Sequence, residues 1–71
     1  NGINYPSWNG SPFDRGTADS WYHRPEKPHY WPDGTMHGDK IVPPQMRPSE
    51  IKAYYAGYQN NELSGSKKDW D

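Results

Sequence analysis

The sequence contains no cysteine, which removes several chemistries at once. No disulfide can staple the fold, no thiolate can act as nucleophile, and zinc sites built on sulfur are excluded. That absence also fits a reducing cytosol. Aliphatic side chains are scarce: Ile3, Ile41, Val42, Ile51 and Leu63 are the whole supply of Ile, Val and Leu. No apolar run approaches the roughly 20 residues that span a bilayer, and no apolar h-region of a signal peptide is visible. Clustered charge of one sign is missing too. Up to Pro48 five basic residues face five acidic ones, and from Ser49 onward three face four, for a net charge of −1. A long stripe that tracks a phosphate backbone is thereby excluded. The chain begins at Asn1 rather than Met, which is compatible with a processed or tag-trimmed start.

Aromatics take the place of the missing aliphatics. The 71 residues include four Trp, six Tyr and one Phe, with eight Pro and seven Gly. A chain that is 30% hydrophobic would ordinarily be read as disordered. Each large ring, however, buries on the order of 150–250 Å², so a few of them can build one core for one domain. Below roughly 70–80 residues a single core rarely supplies more than about 3–5 kcal/mol. The expectation is therefore a marginally stable domain, or one supported by a metal, an oligomer or a partner.

Residues 1–10 read as an extended arm: Pro6 restricts Tyr5, Asn9-Gly10 marks a turn, and Trp8 is the candidate anchor. Ser11-Pro12 is a helix start, with Ser as N-cap, Pro at the first helical position and Asp14 in the first turn. Pro25 sets the end of this helix near Arg24. Gly16 costs helicity, and close approach of another backbone is the compensation that would justify it. In Trp31-Pro32-Asp33-Gly34 the proline pre-sets a turn that Gly34 can complete. Flanking residues 28–31 and 35–37 then read as a short β-hairpin, followed by a connector stiffened by Pro43-Pro44. Pro48-Ser49-Glu50 opens a second helix. Along it Ile51, Tyr54, Tyr55 and Tyr58 recur at helical spacing as a candidate core face, beside a small side of Ala53, Ala56 and Gly57. If Tyr55 is fully buried, its truncation to Ala should cost about 3–5 kcal/mol. Ser64-Gly65-Ser66 ends this helix near Leu63, and residues 64–71 form a polar tail carrying Trp70. The expected architecture is α+β: two helices crossing at Gly16 and Gly57, plus the hairpin, over residues 11–63.

Nothing in the chain forms a catalytic constellation: it has no glycine-rich phosphate loop and no serine in a strained strand-to-helix turn. His23, His29 and His37, with Asp33 and Asp39, carry ligand chemistry for zinc but lack tight ligand spacing. Their plainer roles are a helix C-cap for His23 and stacking among Tyr30 and Trp31 for His29, so no metal and no cofactor is expected. Trp21, Tyr22, Tyr30 and Trp31 lie near Arg15, Arg24 and Lys27 in sequence. Rings mixed with cations can stack the bases of a single strand. With so few aliphatics, most of these rings should instead be core, and the exposed ones interface anchors. The candidate partner-binding residues are Arg15, Arg24, Lys27, Trp8, Trp31 and Trp70.

Arg15-Gly16 in the first helix, Arg24, Pro28, His29 and Tyr30 in the loop, and Tyr54-Tyr55-Ala56-Gly57-Tyr58 in the second helix together resemble the ribosome modulation factor family. The likeness covers the two helices, about half the chain. It implies two helices crossing at glycines and, as a partner, the small ribosomal subunit near the messenger exit. This chain departs from that basic family in its net charge of −1 and its hairpin-like insertion. It also resembles small phage and prophage proteins without assigned activity, through Pro12-Phe13-Asp14-Arg15-Gly16 and the ending Gly57-Tyr58, Asn61-Glu62 and Lys68-Asp69-Trp70.

The expectation is thus a non-catalytic binding protein, a phage or mobile-element accessory factor in the host cytoplasm. Its partner would be a host macromolecule, with the ribosome or RNA first. A protein-targeting inhibitor of a host enzyme or defence system is the alternative, and a structural virion component the third. No membrane and no small-molecule substrate is expected, and homo-oligomerisation stays open.

Overall fold

A computed structural model describes residues 5–65 and 67. The first helix, α1 (Pro12–Trp21), is capped as its sequence demands. Ser11 is fully buried, and its Oγ accepts from the Asp14 N–H at 3.2 Å. The Asp14 carboxylate in turn accepts from the Gly10 N–H at 3.1 Å, so two otherwise orphaned donors are satisfied. The helix stops a few residues before the expected Arg24. His23 adopts φ 61°, a left-handed conformation that no helix continues through, so the break precedes Pro25. The second helix, α2 (Pro48–Ser64), opens with the Arg47 N–H donating to Glu50 Oε1 at 2.7 Å. It closes at Gly65, whose φ of 74° permits the left-handed cap.

Both helices touch backbone to backbone. A Cβ placed on Gly16 would lie 2.0 Å from the Tyr54 carbonyl oxygen, and one on Gly57 would lie 2.1 Å from that of Phe13. Thr17 Oγ1 sits between the helices, 3.0 Å from Phe13 O and 3.3 Å from Gly57 O. Such closeness leaves no room for a layer of large side chains at the crossing. The buried face of α2 is accordingly Ala53, Tyr54, Gly57 and Asn61. This corrects the expected face of Ile51, Tyr54, Tyr55 and Tyr58: Tyr55 is 41% exposed, because the glycine contact rotates the buried stripe away from it. The rest of the interior is strongly polar. Asp19, Ser20 and Asn61 are buried alongside Met46, Ala53 and Tyr54. Among the described residues no buried side-chain nitrogen or oxygen lacks a partner, which is what makes a polar interior tolerable.

The expected α+β architecture is not what forms. The described residues contain two helices and no β-strand, so this is a small all-helical domain. Residues 28–31 and 35–37 do not pair as a hairpin. Pro32 does initiate a turn, with the Gly34 N–H donating to Trp31 O at 3.1 Å, but a second turn follows at once, His37 N–H to Gly34 O at 2.9 Å. Positive φ recurs at Gly34, Met36 and Gly38, and alternating left-handed residues cannot propagate an extended strand. What remains is one isolated antiparallel bridge, Tyr30 to Ile41. Pro43, which has no N–H, follows directly after Val42. The radius of gyration, 11.7 Å, is close to the roughly 11 Å of a folded chain this long, despite the composition.

Candidate functional site

Residues 22–31 leave the end of α1 and are held against the helix pair by a buried carboxylate. Asp19, 5% exposed, accepts from Arg24 Nε at 2.9 Å and from the hydroxyl of Tyr54. The same Tyr54 oxygen accepts from the Lys27 N–H at 3.0 Å. His29 Nδ1 lies 2.8 Å from Lys27 O and 3.8 Å from Asp19 Oδ2, and the ring packs 5.7 Å from that of Tyr54. A further tie runs from the Tyr58 hydroxyl to Arg24 O at 2.5 Å. Burial and the hydrogen bond to Asp19 push the Tyr54 hydroxyl well above the ordinary tyrosine range. It is therefore a neutral donor to a buried carboxylate at every physiological pH.

Farther along, the Trp31 N–H donates to Gly10 O at 2.7 Å. Gly10 is wedged there: a Cβ on it would fall 2.5 Å from Trp31 O. Tyr30 exchanges backbone hydrogen bonds with Ile41, at 3.0 and 2.9 Å, and the Glu50 carboxylate as hydrogen-bond acceptor, then burial, raises its pKa. Between these two anchorages the chain encloses an open basin of about 780 Å³.

Cations and rings converge on this basin. Arg15, Arg24, Lys27 and Lys40 line it, together with Tyr22 and Trp31, while Asp19 is the one carboxylate in the lining. The four cations are not equivalent. Arg15 is engaged by Asp14 through both Nε and Nη2, at 3.3 and 3.2 Å, and its side chain is 15% exposed. Arg24 meets Asp19 through Nε alone, stands 4.8 Å over the Tyr22 ring, and keeps its side chain 50% exposed. Lys27 and Lys40 lie on exposed stretches of chain.

Of the six residues singled out from the sequence, the fold thus brings together Arg15, Arg24, Lys27 and Trp31. Trp8, 46% exposed, is not among the basin's lining residues, and Trp70 lies outside the described residues. The rings expected to be core are not buried: Trp21 is 38% and Tyr22 39% exposed. His29 packs on Tyr54 rather than on Trp31, and among the described residues no three His, Asp or Glu side chains are grouped to hold a metal ion. Lys40, a plausible phosphate contact by its charge, joins Arg15, Arg24 and Lys27 in the lining, whereas the organising Asp19 is not legible as a site residue. Only the pairing of Asp19 with an arginine five positions on, across a helix end, hinted at a role. No helix among the described residues is long and apolar enough to cross a membrane. The chain matches no protein-family model, no curated protein and no solved structure.

Proposed function

We propose that the protein is a non-catalytic binding module whose basin takes an unpaired stretch of RNA. The observation that carries this reading is the convergence of Arg24, Lys27 and Lys40 with Tyr22 and Trp31 around one open concavity. Cations neutralise phosphates, and aromatic faces stack bases irrespective of sequence. The basin is too short to follow a duplex but large enough for one or two nucleotides, since ligand sites commonly run to about 300–1,000 Å³. The resemblance to the ribosome modulation factor family and to phage proteins favours ribosomal RNA of a host cell as the source.

Titrating a fluorescently labelled single-stranded RNA at several salt concentrations tests this. Three available cations, each contributing about −0.7 to the slope of log K against log salt, give a slope of about −2. Stacking supplies the remainder, at about 1–3 kcal/mol per base. A slope steeper than about −5, or no binding, contradicts the reading. The exposed Trp8 favours the second reading, an inhibitor anchored on a protein through an aromatic hot spot. In that case truncating Trp8 abolishes capture of the target and salt has little effect.

A further inference from the structure

Arg24 is held in a way that an ordinary surface arginine is not. Its Nε is fixed by Asp19, a carboxylate that is itself buried, and its guanidinium carbon stands 4.8 Å over the centroid of the Tyr22 ring. Those two contacts hold the Nε side of the group and its central carbon. The outer edge, with Nη1 and Nη2, is left as a two-pronged donor on a half-exposed side chain in the basin lining. An arginine presenting two parallel N–H groups matches two oxygens of one phosphate. Its orientation is set before a ligand arrives, so little rotamer entropy is lost on binding. Lys27 follows three positions on in the same lining, and its backbone N–H is fixed by Tyr54, the residue that also donates to Asp19. Trp31 borders the same cavity and carries a π-face of the kind on which a base stacks.

The geometry points to a single-nucleotide subsite in the basin. Arg24, oriented by Asp19 and Tyr22, takes the phosphate with Lys27 beside it, and Trp31 stacks the attached base. This deepens the reading above and rests on it. The ligand class becomes the nucleoside monophosphate unit of an unpaired strand, not a continuous backbone. Asp19 is a positioning residue, acting on the phosphate only through Arg24.

The test uses small probes on the intact protein, followed by Trp fluorescence and by nuclear magnetic resonance. Adenosine 5′-monophosphate should bind at least about tenfold more tightly than inorganic phosphate or adenosine alone, because it engages both halves of the subsite. R24K keeps the charge but loses the fork. It should weaken the nucleotide about tenfold while leaving adenosine unchanged. D19N should do the same through loss of orientation, a phosphate-selective effect that general loosening of the fold would not produce. Circular dichroism checks that each variant folds, and R24K, on an exposed side chain, keeps the test valid if D19N does not. K52Q, an exposed charge on α2, is the control and should leave nucleotide affinity within about twofold. If an oligonucleotide binds but the mononucleotide does not, or if R24K weakens adenosine and nucleotide equally, the subsite is wrong and the broader reading stands. If neither binds, both fall.

Discussion

Two regions of this small domain are built on opposite principles. At the helix crossing, Gly16 and Gly57 let two backbones meet with only the small Thr17 hydroxyl beside them. From residue 22 to residue 47 the chain has no regular element. It is held by a few polar ties: Asp19 to Arg24, Tyr54 to Lys27, Gly10 to Trp31, and the bridge from Tyr30 to Ile41. The crossing is fixed by shape and tolerates no added atom. The connection is fixed by hydrogen bonds and leaves its rings and cations facing outward, where a ligand can reach them. A chain this poor in aliphatics buries Tyr54 and leaves Trp8, Trp21, Tyr22 and Tyr55 exposed.

The largest effect should come from adding one methyl to the crossing. G16A or G57A drives a Cβ into a carbonyl oxygen of the other helix. The helices must separate, at about 3 kcal/mol or more, which nearly matches the whole stability of a domain this size. Urea or thermal denaturation should find the variants largely unfolded; an unchanged midpoint would mean that the backbones do not touch.

Next comes the joint between the two regions. Y54F keeps the ring but leaves the Lys27 N–H without its acceptor and Asp19 without one donor. The cost should be about 1–3 kcal/mol. Hydrogen exchange should show the Lys27 amide losing protection while the helix amides near Gly57 change less.

The same hydroxyl makes a pH prediction. Its folded pKa is raised by burial and by Asp19, so above the ordinary tyrosine value of about 10 the unfolded chain loses a proton that the folded one keeps. Stability is complete below that value and declines as pH rises beyond it. Tyr58, raised by burial and then by Glu62, adds in the same direction. Denaturation between pH 8 and pH 11 should show the decline, and Y54F should flatten it.

Smaller effects are expected outside both regions. Y55A, at an exposed ring, should cost less than about 1 kcal/mol, well short of what a core tyrosine would. Glu62 is lowered by its hydrogen bonds to Lys67 and Ser20. Its contribution is present above the unfolded carboxylate value and fades as pH falls through the folded one. E62Q should slightly flatten the acid limb of the stability profile.

Which parts of this were readable in advance follows from the same contrast. Ser11-Pro12, Pro48 and Gly65 are local signals, and the two helices begin and end close to them. Glycines in mid-helix announce a close crossing, and that is where Gly16 and Gly57 sit. Tyr54 and Tyr55 both fit the helical spacing of a core face, and only the partner helix decides which ring goes in. Pro32 and Gly34 announce one turn, which is all that a hairpin needs. The second turn, closed by His37 N–H to Gly34 O, needs a left-handed Met36, a conformation its residue type does not announce. Burial of Asp19, Ser20 and Asn61 runs against their residue types and follows from the closed hydrogen-bond network. In the site, Arg24, Lys27 and Trp31 stood out as cations and rings, but only the fold separates Arg24, open to a ligand, from Arg15, closed against Asp14.

The most direct test of the functional account is a residue-resolved titration of the whole chain with a short unpaired RNA, followed in a two-dimensional amide spectrum. Chemical-shift changes should concentrate at Tyr22, Arg24, Lys27, Lys40 and the Trp31 indole, with the Trp8 indole and the Tyr55 face of α2 unmoved. Changes centred on Trp8 or Tyr55 with a silent basin would contradict it.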